Sequence, residues 1–306
     1  MAFACLGLTE IPDDLLCQPA FLRKEKKTRF AANGLISNGY QSLAKARRIL
    51  ANDLDAEFMD KLFNEDRIIE VETNPSMFFT SSYLAGKYLL YGLQYYSTQR
   101  NQANPELEIF ASESRQWIVQ GSVDYQRWLF FGLQFRNQQD KIVRKRFRLV
   151  DLGTDSGKDL LKPQEYSRLF LEPGVGVVLG DFKFSVLGSG LIVSGDTEGD
   201  FPDRPEAQAG AAYEFSLPVG SLELALDYKS LSYEEESTSD KFHTGARFKY
   251  GALNLLTGVD SFGFSGGMLF TVEKIYSGIL YSTSRVPWRD SEEYAQTAYI
   301  ELGWQL

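Results

Sequence analysis

Tyr294-Ala295-Gln296-Thr297-Ala298-Tyr299-Ile300-Glu301-Leu302-Gly303-Trp304-Gln305-Leu306 is the stretch that decides the fold. In an extended chain successive side chains point to opposite faces. Ala298, Ile300, Leu302, Trp304 and Leu306 therefore share one face, and Thr297, Tyr299, Glu301, Gly303 and Gln305 share the other. One face is oily and the other polar over a length that meets the ~9–11 residues a tilted strand needs to cross a bilayer.

The same period recurs upstream. Trp117, Val119, Val123 and Tyr125 oppose Gln120, Ser122 and Asp124; Leu129, Phe131, Leu133 and Phe135 oppose Gly132, Gln134 and Arg136. Phe182, Phe184 and Val186 oppose Lys183 and Ser185, and Leu222, Leu224, Leu226 and Tyr228 oppose Glu223 and Asp227. Phe242, Ala246, Phe248 and Tyr250 oppose His243, Arg247 and Lys249. Leu89, Tyr91, Leu93 and Tyr95 read as one further oily face. Turn residues separate the segments, as at Pro218-Val219-Gly220 and Asp260-Ser261. So long a sheet must close, because each unpaired edge group in lipid costs several kcal/mol. The predicted fold is all-β: a closed antiparallel transmembrane barrel of about 12–14 strands, oily faces outward. A soluble β-sandwich also alternates, but the aromatic residues near strand ends suit interfacial girdles.

Composition agrees. The 306 residues carry 22 Phe, 16 Tyr and 4 Trp, and the mean hydropathy of −0.25 is what alternation produces in a membrane barrel. No apolar run is long enough for a helical span. A net charge of −9 argues against nucleic-acid binding.

Residues 1–66 read differently from 67–306. Leu43, Leu50, Leu54, Phe58 and Leu62 recur at helical spacing between Gln41 and Asn64, with Asn38 as the expected N-cap. The expected division is a periplasmic or luminal plug segment with one amphipathic helix (1–66) and a barrel (67–306). The basic run Arg23-Lys24-Glu25-Lys26-Lys27 fits a solvated loop, or contact with anionic head groups or an acidic lumen wall. Ala2-Phe3-Ala4 fits the end of a cleaved signal, so a nearly mature form is expected. Cys5 and Cys17 are close enough in sequence to form a local disulfide in an oxidising compartment, or to remain unpaired. A lipid anchor on Cys5 is a further alternative.

The terminal strand resembles the C-terminal targeting strand of outer-membrane proteins, with Trp304 and then Leu306 where that group usually ends in an aromatic residue. The resemblance implies a bacterial outer-membrane location, outer-membrane lipids around the barrel and recognition by the barrel-assembly machinery. An N-terminal helical segment followed by about fourteen strands resembles the long-chain fatty-acid transporter (FadL-like) group. Arg29-Phe30-Ala31-Ala32-Asn33-Gly34-Leu35-Ile36 is the nearest stretch to that group's asparagine-proline-alanine signature. That likeness implies a plug inside the barrel and hydrophobic compounds passing through the wall.

Little in the chain suggests catalysis. His243 is the only histidine, and the position sharing its face two residues on is Gly245, not a nucleophile. One histidine and two N-terminal cysteines do not make a metal site, and no cofactor is expected. Arg144, Arg146 and Arg148 share one face of a strand and are expected to line the lumen. There they either select anions or pair with acidic strands bearing Glu214, Glu223, Asp227 and Glu301. Three functions remain open: passive transport of a small hydrophobic solute, a structural or assembly protein with a closed lumen, and a lipid-modifying barrel enzyme. Oligomeric state and protein partners are not legible.

Overall fold

The computed structural model describes residues 17–24, 27–38, 40–63, 69–99, 106–148, 161–196, 205–229, 238–261, 263–285 and 294–306. Among them the strand segments are β1 (Arg29–Ser37), β2 (Ile69–Thr73), β3 (Ser76–Thr80), β4 (Leu84–Gln99), β5 (Glu106–Tyr125), β6 (Leu129–Arg148), β7 (Gln164–Leu179) and β8 (Phe182–Ser189). They continue with β9 (Ile192–Gly195), β10 (Glu206–Leu217), β11 (Gly220–Tyr228), β12 (Phe242–Tyr250), β13 (Leu253–Val259), β14 (Gly263–Val272), β15 (Ile275–Arg285) and β16 (Tyr294–Gln305). Every pairing is antiparallel, and β1 pairs β16 from Arg29↔Gln305 to Ser37↔Thr297, which closes the sheet on itself. β2 and β3 both lie between β1 and β4, and β8 and β9 both pair β7, so each couple is one interrupted strand. The result is a closed barrel of fourteen strands.

Burial follows the alternation. On β16 Ile300, Leu302 and Trp304 are 57%, 61% and 54% exposed, whereas Tyr299, Glu301 and Gln305 are buried. The same rule holds around the wall: Phe131, Leu133 and Phe135 face out on β6, Phe184 and Val186 on β8, Leu224 and Leu226 on β11. An apolar belt around a polar interior suits hydrocarbon outside and satisfied polar groups inside. No helix is long and apolar enough to cross a membrane among the described residues. Turns of two or three residues join β3–β4, β5–β6, β7–β8, β10–β11, β12–β13 and β14–β15 at one end of the barrel. The longer connections lie at the other.

The expected division at residue 66 does not match where the barrel starts. β1 lies inside the segment read as plug and is a full member of the wall. Its outward residues Phe30, Ala32, Gly34 and Ile36 include two too small to mark an oily face, and its partner is some 270 residues away in sequence. The single helix is two, α1 (Leu43–Leu50) and α2 (Ala56–Phe63), separated by a turn with Asn52 at φ 54°. Asn38 does not cap α1: its N–H donates to the Gln296 carbonyl, and Ser42 holds the cap position without a side-chain bond.

The helices do not enter the lumen. Ala46, Ile49, Leu50, Leu54, Phe58, Met59 and Leu62 form one core with Leu93, Tyr95, Ile109, Ala111 and Val143. β5 and β6 pair without a register break along their whole length. Ile109 and Ala111 therefore share the outer face of Trp117 and Val119, and Val143 shares that of Leu133 and Phe135. α1 and α2 lie on the outside of the barrel, on the part of β4–β6 that extends past the apolar belt at the long-loop end. A bulge in β4 between Leu89 and Gly92 makes this possible. It reverses the face parity of β4, so Leu89 points inward while Leu93 and Tyr95 point outward under the helices. The four do not share one face, contrary to the reading from alternation alone.

Asp55 caps α2, its Oδ1 accepting from the Phe58 N–H at 2.7 Å. That bond, and then Arg48, hold the Asp55 carboxyl below its usual range. A depressed folded pKa means stability that is present above the unfolded value and lost as pH falls through the folded one. Asp55→Ala is expected to speed amide hydrogen exchange in α2 selectively, with the difference from the parent shrinking as pH is lowered through the carboxylate range.

Candidate functional site

Gln18 to Leu22 cross the lumen at the short-turn end and are all buried. The seat is made by three glycines on the inner faces of β6 and β7. A Cβ on Gly132 would collide with the Pro19 and Ala20 backbone, one on Gly174 with the Gln18 amide, and one on Gly176 would lie 2.5 Å from the Phe21 ring. Phe21 packs edge-on against Phe130, ring centroids 6.2 Å apart, with Ala20 and Val178 beside them. Leu22 belongs to the next cluster along the wall, with Ala31, Phe78, Ala85, Ile118 and Tyr276. One short segment thus bridges the inner faces of β5, β6 and β7 with apolar contacts.

Polar bonds fix it in place. Ser122 Oγ donates to the Ala20 carbonyl at 2.7 Å, and Gln18 Nε2 donates to the Val186 carbonyl at 3.3 Å. Arg23 Nε donates to Asp124 Oδ1 at 2.6 Å, and its guanidinium sits 4.1 Å from the Tyr83 ring centroid. The front of the basic run thus meets an acidic residue of the lumen wall, while residues 25–26 lie outside the described residues. Cys17, at the start of the segment, is disulfide-bonded; Cys5 lies outside the described residues.

Above the plug the inner face of the wall is lined by ion pairs between nearby strands. Glu223 accepts from Lys183 Nζ at 2.5 Å and from Arg247. Asp140 accepts from Arg168 Nη2 at 2.6 Å and from Ser114 Oγ, also at 2.6 Å. Glu172 accepts from Arg136 at 2.8 Å and from Gln134 at 2.5 Å, and Arg136 stacks 3.8 Å from the Phe170 ring centroid. Tyr299 donates to Glu301 at 2.7 Å and accepts from Asn33 Nδ2, while Asn33 Oδ1 accepts from Ser76. Arg168, Arg247, Glu223 and Glu301 are at most 2% exposed, so these lumen-facing side chains are packed against their neighbours rather than open to bulk water.

The wall itself has a discontinuity at the long-loop edge of the apolar belt. Between β2 and β3, Asn74 and Pro75 interrupt the ladder, and Pro75 has no N–H to give. Asn74 Oδ1 accepts from the Leu35 N–H at 3.1 Å, where a continuous strand would offer a backbone carbonyl. Pro75 O accepts from the Leu90 N–H at 3.0 Å, at the β4 bulge. Irregular backbone on both sides of the interruption coincides with Gly34 on β1, where an added Cβ would meet only Pro75 Cα, at 3.9 Å.

Not every residue singled out in the sequence falls at this site. Arg144 and Arg146 carry the parity of the inner face, but on the part of β6 beyond the belt; the Arg148 side chain lies outside the described residues. Their register partners on β5 are Phe110, Glu108 and Glu106, and not the four acids named above. Of those four, Glu214, Glu223 and Glu301 face lysine, arginine and tyrosine instead, and Asp227 is the register partner of His243. Ala298, Ile300, Leu302, Trp304 and Leu306 lie on the outer face of the closing strand. His243 is buried in the wall; its Nδ1 lies 3.2 Å from Asp260 Oδ2 and its Nε2 3.2 Å from the Lys229 carbonyl. Both ring nitrogens are occupied, so neither is directed at a nucleophile. Among the described residues no cluster of metal-ligating side chains occurs. Sequence reading missed the glycine seat and the Pro75 interruption. Gly132, Gly174 and Gly176 on inward positions were the visible signal, together with a proline between two short β-prone runs.

No family model and no curated protein matches the chain. Solved structures do. TbuX, the toluene transporter of Ralstonia pickettii, shares 10% identity at TM-score 0.54, over 96% of this chain and 93% of its own. The monoaromatic hydrocarbon channel CymD shares 9% at TM-score 0.49, over 99% and 98%. The toluene transporter TodX of P. putida shares 10% at TM-score 0.47, over 95% and 92%. The chain spans 60% of the length of CdiB from Acinetobacter baumannii, at TM-score 0.36 and 9% identity.

Proposed function

Starting from a fold that is that of the FadL-like outer-membrane barrels, we propose that this chain is an outer-membrane protein for passive passage of a small hydrophobic solute. The observation that carries the reading is the Asn74–Pro75 interruption in the lipid-facing wall. Irregular backbone at membrane depth is tolerated where it is buried in protein or lines a cavity. The plug and the ion-paired interior obstruct a straight aqueous path, whereas an interrupted ladder is the place where the wall can part for a solute that partitions into hydrocarbon. The solute enters from the long-loop end and leaves sideways beside Pro75. TbuX, a toluene transporter, shares the fold, which makes toluene the first probe.

Proteoliposomes are the test. The protein should accelerate toluene uptake and leave sugar permeability unchanged. Pro75→Val, which restores a ladder donor, should slow uptake while the barrel stays folded. Equal uptake by protein-free vesicles would overturn the reading. The dense ion pairing favours a second reading, a structural barrel with a closed lumen; it predicts no uptake of any solute, and no effect of Pro75→Val.

A further inference from the structure

On the outer face, one strip of β4 and β5 runs from an apolar groove to two exposed guanidiniums. The groove is about 520 Å³, floored by Gly86 and walled by Phe30, Met77, Phe79, Tyr88, Trp117 and Val119. All six walls belong to the hydrocarbon-facing set. Gly86 leaves the space open, since a Cβ there would meet Phe79 at 3.5 Å and the Ile118 carbonyl at 3.4 Å. Tyr88 and Trp117 are directly paired across the strands at the upper rim of this groove, where amphipathic aromatics settle at a membrane interface.

Above that rim the chemistry changes sign. Arg115 stands opposite the Leu90–Tyr91 bulge, and both bulge side chains emerge on the outer face. Arg115 is 61% exposed, with Glu113 as its ion-pair partner at 3.4 Å, a contact that water and salt weaken. On the other side of the bulge, α1 lays its Leu43–Arg47 edge beside Tyr91. Arg47 Nε donates to the Tyr91 hydroxyl at 3.2 Å and its guanidinium lies 5.4 Å from the ring centroid. Among the described residues the carboxylates Asp53 and Asp55 pair with Arg48 and not with Arg47, which is exposed. From Gly86 to Leu90 is four residues, or ~14 Å of strand, about half of a ~30 Å hydrocarbon core.

We propose that this strip is a binding site for one phosphorylated lipid of the leaflet at the long-loop end. One acyl chain lies in the Gly86 groove, and the head-group phosphate lies between Arg47 and Arg115. The occupant follows from the two halves together. An acyl chain alone would not need the guanidiniums, and a soluble anion would not need the groove. Guanidinium forks match phosphate oxygens bidentately. The bulge makes the site, because it turns Tyr91 outward to hold Arg47 and lets the helices sit at the interface. The proposal is independent of solute passage: it requires the outer surface, not an open lumen.

The test is native mass spectrometry of the full chain in detergent, titrated with bisphosphorylated lipid A and with its fully dephosphorylated form. The phosphorylated lipid should be retained at least tenfold better. Arg47→Gln with Arg115→Gln should abolish that preference and leave residual, phosphate-independent binding. Gly86→Leu, which fills the groove, should weaken both lipids alike. Equal retention of the two lipids by the parent protein would overturn the head-group assignment. Unchanged binding in Gly86→Leu, with the folded, heat-modifiable band intact, would overturn the groove. Toluene uptake in vesicles lacking lipid A should be unaffected by the arginine pair, so failure here is separate from failure of the transport reading.

Discussion

Liposomes carrying Gly132→Val protein are expected to pass small ions that the parent barrel excludes. The valine side chain would occupy space already held by the Pro19 and Ala20 backbone. Overpacking of this kind costs ~1–3 kcal/mol, and the strain can be relieved at two places. The β6 backbone is paired on both sides over long registers. The Gln18–Leu22 segment is held by a few side-chain bonds, so the segment moves. A shift of ~3 kcal/mol changes the seated-to-unseated ratio by about a hundredfold. Single-channel recording in planar bilayers reads this directly. Gly121→Ala is the control, since its Cβ would meet nothing nearer than the Tyr83 carbonyl at 3.6 Å. Phe21→Ala with Leu22→Ala should open the barrel by a different route, removing the bridge's two anchors without any clash. Unchanged conductance in both the Gly132 and the double alanine variants would mean that this segment does not close the lumen.

The largest loss of stability is expected from Glu223→Ala. Its carboxylate is 1% exposed and serves two cations, Lys183 and Arg247. Glu214 stands 3.8 Å from Lys183 and can take up part of that charge, whereas the ion-pair partner of Arg247 is Glu223 itself. Removing one partner of a buried ion pair costs ~3–5 kcal/mol, because the remaining charge stays desolvated. Urea unfolding in lipid vesicles, followed by tryptophan fluorescence, should show the midpoint falling by an amount equivalent to that range. Adding Arg247→Met to Glu223→Ala should restore most of it. If the single variant unfolds like the parent, the interior around Glu223 is wet and the packed-lumen description fails.

Much of the wall was legible in the residues. The period of two in Trp117–Tyr125, Leu129–Arg136 and Tyr294–Leu306 gave both the strands and their faces, and burial follows those faces. For the arginines of β6 alternation gave a shared face as an expectation, but it orients a side chain without naming what stands across from it. β1 escaped notice because Ala32 and Gly34 are small. The helices were legible as helices from Leu50, Leu54, Phe58 and Leu62, yet not their position, which depends on the β4 bulge.

Local order alone therefore settled which side of an unbroken segment such as β5, β6 or β16 meets hydrocarbon, since two-residue periodicity is a property of neighbouring residues. Register settled the rest: that Arg29 lies beside Gln305, that Pro75 breaks the wall opposite the Leu90–Tyr91 bulge, that Pro19 rests on Gly132. Those contacts join residues far apart in the chain. No periodicity encodes them, because their energy comes from pairing and packing that exist only once the cylinder has closed.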